Sequence, residues 1–347
     1  MKKDISKTRY SLIIVILILI LTFAIAFFSV IGTANIGVID TFRIVISKIP
    51  IIERCIDISD ISKSHETIIW SIRLPRVLLG ALVGASLSMT GAAFQGIFKN
   101  PMADPYVIGI SSGAALGASI AIILGINISF MNLSTISIFA FIGALSAVFT
   151  VYNIARIKNK VPVTTLLLAG IAIGQFLTAI MSFLMVIYSK DMAKIIYWTM
   201  GSLAGKGWTP LISITIPVVI SMTGIGFFAR DLNIMLIGEE SAQSLGIDVE
   251  RTKVYILILG SFLVSMVVSV SGIIGFVGLI IPHIVRIVLG PDNRILLPSS
   301  ALVGAIFMIF ADTIARTIIS PVEIPVGIIT ALFGGPFFLY LLRKSKK

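Results

Sequence analysis

Residues 74–97 read Leu74-Pro-Arg-Val-Leu-Leu-Gly-Ala-Leu-Val-Gly-Ala-Ser-Leu-Ser-Met-Thr-Gly-Ala-Ala-Phe-Gln-Gly-Ile97, and Arg76 is the one charge among them. As a helix this stretch would measure about 36 Å at roughly 1.5 Å per residue. That is enough to cross about 30 Å of hydrocarbon. A transmembrane strand is shorter and alternates apolar with polar positions, whereas this run is continuously apolar. It predicts a membrane-spanning helix, and with it an all-α polytopic fold.

Nine further stretches of this kind flank it. The full set is approximately 11–31, 74–97, 106–124, 135–153, 164–187, 209–228, 254–272, 274–289, 298–316 and 325–342, organised as one domain over residues 1–347. The seventh and eighth run together through Ser271-Gly272, so their division rests on helix length. Composition agrees: 57% of residues are hydrophobic and 12% charged, with a mean hydropathy of +1.07. A soluble domain carries roughly a quarter charged residues, so the outer surface here must face lipid. The first stretch, Leu12 to Ile31, exceeds the ~7–15-residue core of a signal peptide and reads as an uncleaved anchor.

The formal net charge of +11 does not indicate nucleic acid, because its distribution follows the membrane. With ten spans and a cytoplasmic N-terminus, 17 of the 27 basic residues fall on the inner side, from Lys2, Lys3, Lys7 and Arg9 to Arg343, Lys344, Lys346 and Lys347. Half of the others lie in the long outer loop 32–73, beside Asp40, Glu53, Asp57, Asp60 and Glu66. This bias places both termini in the cytoplasm. Trp70, Trp198 and Trp208 fall at outer boundaries, and Tyr10, Tyr106, Tyr152, Tyr255 and Tyr340 at inner ones, where amphipathic rings collect. Cys55 is the only cysteine, so no internal disulfide is expected. His65 and His283 are far apart and on opposite sides, so neither a metal site nor a histidine-based catalytic site is expected.

Small residues at four-residue spacing (Gly80 and Gly84, Gly113 and Gly117, Gly170 and Gly174) predict close helix packing. Between the sixth and seventh spans, Glu239 to Leu245 reads as a two-turn helix. Its two leading acids, Glu239 and Glu240, suit the helix dipole, and Gly246 suits a left-handed cap. Ala242 and Leu245 would share one face. So short a helix is marginal alone: it either lies on the membrane surface or docks into a partner's groove. On the outer side Arg73 and Arg76 flank Leu74-Pro75, and Arg316 ends the ninth span one turn after Asp312, with which it would pair. These arginines either anchor span ends or recognise an acidic partner. Asn100-Pro101 and Asp104-Pro105 form an inner turn, Pro282-His283 ends or kinks the eighth span, and Pro321 and Pro325 bracket Glu323. Gln95 would face either a neighbouring helix or a pathway. No Walker-type phosphate loop exists: Gly91 to Gly96 has the spacing, but Ile97 stands where lysine is required.

The chain resembles the FecCD-type permeases of type II ABC importers. The matching stretches are Arg73-Leu-Pro-Arg76, Gly84-Ala-Ser-Leu87, Gly91-Ala-Ala-Phe-Gln95, Asn100-Pro-Met-Ala-Asp-Pro105 and Gly109-Ile-Ser-Ser-Gly-Ala114. They continue with Gly238-Glu-Glu-Ser-Ala-Gln-Ser-Leu-Gly246, Gly275 to Arg286, Ala311-Asp-Thr-Ile-Ala-Arg316 and Glu323-Ile-Pro-Val-Gly327. They occur in family order from about residue 10 to 342, and Met102 in place of the usual Leu is a volume-conserving departure.

The resemblance implies a second permease subunit (identical or a paralogue), two cytoplasmic ATPase subunits, and an extracytoplasmic binding protein that delivers an iron–siderophore complex or haem, with cobalamin as the alternative. It implies that this chain binds no cofactor or metal and does no covalent chemistry, ATP being used by the partner ATPase. Arg73, Arg76 and Arg316 are similar to arginines that dock the binding protein. Gly238, Glu239, Glu240, Ala242, Leu245 and Gly246 resemble the coupling helix that fits the ATPase. An ion-coupled secondary transporter would need midplane ionisable residues, and few exist beyond Asp312 and Arg316; an intramembrane enzyme would need a nucleophile–base pair or a metal cluster.

Overall fold

The computed structural model describes residues 7–34, 36–48, 57–126, 128–130, 132–158 and 160–345. Cys55, Glu53, Lys2, Lys3, Lys346 and Lys347 lie outside the described residues. The chain is a helical bundle. α1 (Lys7–Val30) is followed by the short helices α2 (Val38–Ser47) and α3 (Lys63–Thr67), and a π-helical turn (Ile68–Arg73) leads into α4 (Leu74–Ile97). A 3₁₀ turn (Pro105–Ile108) precedes α5 (Ile110–Leu124), and a small antiparallel hairpin, β1 (Ser129–Phe130) with β2 (Leu133–Ser134), precedes α6 (Thr135–Ala155). Then come α7 (Val163–Ile187), α8 (Met192–Thr199), α9 (Trp208–Phe227), α10 (Ala229–Met235), α11 (Glu239–Ser244), α12 (Val249–Ser271), α13 (Val277–Leu289), α14 (Asn293–Thr317) and α15 (Val326–Ser345). Among the described residues, α1, α4, α6, α7, α9, α12 and α14 are long and apolar enough to cross a membrane, and α5, α13 and α15 are shorter apolar helices. Each of the ten expected stretches is thus a helix.

The differences have local causes. Loop 32–73 contains α2 and α3, and α8 follows α7; none has the continuous apolar length that marks a span. α2 is amphipathic, burying Thr41, Ile44 and Ser47 while Val38, Ile39 and Phe42 stay exposed. α14 begins five residues before the expected 298, because Asp292 accepts from the Arg294 N–H and caps it, and polar cap residues lie outside any apolar window. α13 starts at Val277 rather than 274: Gly272 (φ +70) and Phe276 (φ +68) are left-handed, so 272–276 is irregular backbone. Such a segment at membrane depth must be covered and bonded. Its neighbours supply this: the Ser202 N–H donates to Ser271 O at 2.7 Å, and the Tyr106 hydroxyl to Ile274 O at 3.1 Å. Pro282 does not end its helix, which runs on to Leu289.

α4 is the axis of the bundle. It is buried along most of its length, against α14, α13, α12 and α9, whereas α1 and α7 are mostly exposed. Lipid gives helices no hydrophobic reason to associate, so contact must come from close backbone approach. A Cβ built on Gly84 would lie 2.1 Å from Gly304 O of α14, and one on Gly113 of α5 would lie 2.4 Å from Gly143 O of α6. Gly117 and Gly170 likewise face backbone. Gly80 and Gly174 meet only side chains, Leu203 and Ser112, so four of the six expected glycines pack on backbone. Replacing Gly84 with Val should push α4 and α14 apart and cost more than the ~1–3 kcal/mol of ordinary overpacking, seen as a lower thermal midpoint in detergent and loss of the monodisperse peak; Gly80→Ala should leave both near wild type.

Candidate functional site

Two polar constellations stand at opposite ends of the bundle. At one end, Arg76 in the first turn of α4 is held by two carboxylates. Its Nε and Nη2 donate to Asp312 of α14 at 2.9 Å each, and its Nη1 to Glu323 in the α14–α15 connection at 2.9 Å. Asp312 therefore pairs with Arg76 and not with Arg316, as its i,i+4 spacing suggested. Arg316 donates through Nη2 to Phe28 O at 2.5 Å and to the Thr313 hydroxyl at 3.3 Å. Arg73 donates to Val30 O and Ala34 O, both at 2.6 Å.

Phe28 and Val30 belong to the last turn of α1, which has no basic residue of its own. Terminal carbonyls have no intrahelical partner, and cations there also offset the negative end of the dipole. Arg73 and Arg316 thus cap α1 from the π-helical turn before α4 and from α14. Exposure decides how these three side chains can act: Arg73 is 4% exposed, Arg76 5% and Arg316 5%. The guanidinium groups expected to dock a partner are spent on internal carbonyls and carboxylates, and Glu323 is the member of this cluster that reaches the surface.

At the other end, α11 is one and a half turns long and ends in a Schellman motif. Gly246 (φ +87) donates to Gln243 O at 2.9 Å and Ile247 N–H to Ala242 O at 3.0 Å, the pairing expected when glycine takes the left-handed position. Ala242 is fully buried, but Leu245, as the cap residue, has left the helical path and is 65% exposed. The two do not share a face. Glu239 is fixed from below: the Lys253 Nζ of α12 lies 2.9 Å from it and 3.1 Å from Glu250. Glu250 also accepts from Val161 N–H of the α6–α7 loop at 3.0 Å. Lys253 is 5% exposed and joins α11, α12 and that loop through one ammonium group. Sequence reading missed its role; its one signal was a lysine directly before the expected span at 254. Glu240, Ser241, Gln243, Ser244 and Leu245 remain exposed. Beside them, Asp292 receives the Arg294 side chain, Asn233 Nδ2 at 2.6 Å and the Tyr10 hydroxyl at 3.0 Å. These bonds, led by Arg294, hold its carboxyl well below the usual range despite partial burial, and they tie α1, α10 and α14 together.

Gln95 settles against a neighbouring helix: its Nε2 donates to Leu279 O of α13 at 3.0 Å, with no exposure. In the turn 100–105, Asp104 accepts from the Tyr106 N–H at 2.8 Å, and burial raises its pKa from 3.8 to about 6. Among the described residues no group of three His, Cys, Asp or Glu could hold a metal ion.

The Arg76–Asp312–Glu323 cluster, the glycine-flanked α11 and the Asn100–Pro105 turn bring together segments far apart in sequence, and the profile of the FecCD transport family matches residues 13–344. The chain belongs to the FecCD transport family. This FecCD chain is 48% identical over 283 residues to the cobalamin import system permease of Halobacterium salinarum, covering 82% of this chain and 75% of that protein. It is 40% identical to the hemin transport system permease of Yersinia pestis (80% and 84% covered). To an Fe(3+)-citrate import system permease of Bacillus subtilis it is 36% identical (98% and 97% covered). A solved structure of a metal-chelate type ABC transporter in an inward-facing conformation superposes with a TM-score of 0.81 at 30% identity, covering 96% of this chain and 99% of that one. The FecCD chain is accordingly a multi-pass membrane permease subunit of an ABC importer, in which ATP hydrolysis belongs to a separate subunit.

Arg76→Gln should destabilise this FecCD chain by about 3–5 kcal/mol, because it leaves Asp312 charged and buried without its partner; Arg76→Gln combined with Asp312→Asn should recover part of the loss, read from thermal midpoints in detergent. Asp104 has a folded pKa above its unfolded one, so its charged form costs stability above about pH 6 and that cost fades as the pH falls towards 4. Asp104→Asn, which keeps the cap, should raise the thermal midpoint at pH 7.5 and flatten its pH dependence between about 4 and 6.

Proposed function

We propose that this chain forms half of the translocation pathway of an importer for a metal–organic chelate, with both termini in the cytoplasm, and that α11 is where a cytoplasmic ATPase acts on it. The observation that carries the second claim is the contrast within one short helix. Glu239 and Ala242 are anchored to the bundle, while Glu240, Gln243, Ser244 and Leu245 project from it. A helix too short to be stable alone is here fixed to α12 by a buried ammonium group, so a push on its free face reaches the spans as a rigid displacement. The partners in this reading are a second permease subunit, two ABC ATPases that use the ATP, and an extracytoplasmic binding protein; no cofactor is bound by this chain.

The burial of Arg73, Arg76 and Arg316 gives the docking reading no support from free guanidinium groups. The exposed carboxylate edge of Glu323 and the surrounding loops are the surface a binding protein would meet. An iron–siderophore complex or haem is the proposed cargo. The Halobacterium relative's name supports cobalamin as a second reading. Reconstituted with its ATPase and binding protein, the permease should take up one of ferric siderophore, haem or cyanocobalamin only when ATP is present; uptake driven by an ion gradient without ATP would overturn the proposal. Glu240→Lys combined with Leu245→Asp should cut ATP-driven uptake by about tenfold, equivalent to roughly 1.4 kcal/mol of coupling, while the thermal midpoint stays within about 1 °C because both residues are exposed.

A further inference from the structure

A cavity of about 450 Å³ opens between α6 and α12. Val148 and Tyr152 of α6 and Val254 and Phe262 of α12 form its walls, and Ile108 and Leu166 its floor. The stretch of α12 from Val254 to Phe262 measures about 12 Å at roughly 1.5 Å per residue, close to the ~15 Å of one leaflet of hydrocarbon. Its lining contains no glycine, and its rim carries exposed bulky side chains, Phe149 (69%) and Ile258 (58%). A partner helix would need small residues for close approach; a flexible hydrocarbon chain does not.

The end of this groove is strongly basic. Arg156 lies one turn beyond Tyr152, and with Lys158 and Lys160 it stands exposed in the α6–α7 loop. Val161 N–H is bonded to Glu250, so the loop closes against the first turn of α12, where Arg251 also stands. Arg251 is paired with Asp248 at 2.9 Å, and Glu250 is taken by Lys253. Arg156 uses its Nε on Lys158 O, and among the described residues Arg156, Lys158 and Lys160 have no carboxylate partner. We propose that this groove binds one anionic phospholipid, its acyl chain lying between α6 and α12 and its phosphate held by Arg156, Lys158 and Lys160. Three such cations together attract an anionic headgroup, and the apolar groove supplies the orientation that loose surface attraction lacks.

The test is native mass spectrometry of the purified transporter complex, exchanged in detergent against equal amounts of phosphatidylglycerol and phosphatidylcholine. The wild type should retain phosphatidylglycerol preferentially. Arg156→Gln, Lys158→Asn and Lys160→Gln together should reduce that retention on the order of tenfold or more. These side chains are exposed, and asparagine tolerates the left-handed backbone at 158 (φ +54), so the variant should fold. Val148→Trp, which fills the groove and leaves the charges, should also release the lipid. Equal retention of the two lipids by the wild type, or wild-type retention of phosphatidylglycerol by either variant, overturns the proposal. So does a disulfide between two copies carrying Phe149→Cys in a Cys55→Ser background, which would show a second chain in the groove.

Discussion

The pairing of Arg76 with Asp312 and Glu323 is the constraint on which the arrangement of spans depends. Two carboxylates and a guanidinium at the edge of the hydrocarbon are tolerable only if each satisfies the others. The geometry that does so fixes the top of α4 against α14 and against the connection leading to α15. Below it, Gly84 and Gly304 let the same two helices touch backbone to backbone. The upper contact sets the register and the lower one the distance. With α4 so placed, α13 follows through the Gln95 bond to Leu279 O, and α12 through packing along the same axis.

The opposite end uses the same device for another purpose. Lys253 is buried and compensated by Glu239 and Glu250, so α11 is joined to a long span rather than hanging from a loop. A rigid attachment of this kind is what a mechanical coupling element requires, because a floppy one would absorb the displacement it has to pass on. Asp292 adds a second tie at this end, drawing α1, α10 and α14 to one carboxylate.

The spans were legible in the sequence because lipid imposes one demand on every residue of a crossing segment, and that demand is visible locally. The short helices α2, α3 and α8 were not, since a few turns at the surface need no continuous apolar run. Pairings were least legible where they join distant parts of the chain. Asp312 has Arg316 one turn away, yet it bonds Arg76, 236 residues distant, because α4 brings a guanidinium with three donors to bear while Arg316 turns to α1. Spacing likewise placed Ala242 and Leu245 on one face, whereas Ala242 is buried against the bundle and Leu245, at the end of the helix, is exposed. The motif residues around Gly238 to Gly246 and Arg73 to Arg76 lie in the two polar constellations; what each side chain touches there was set by helices no local window contains.

The capping of α1 by Arg73 and Arg316 has a consequence for how the chain is made. The first helix to emerge ends in carbonyls whose partners here are arginines 43 and 288 residues further along the chain. One of the two arginines arrives with the second span, the other only with the ninth. Until almost the whole polypeptide has been inserted, the far tip of the opening helix carries an unmet need for hydrogen bonds, and the late span that meets it also brings the acid that neutralises Arg76. Completion of the bundle is therefore felt at its beginning, so that a chain cut short before Arg316 would be marked as unfinished by its own first helix.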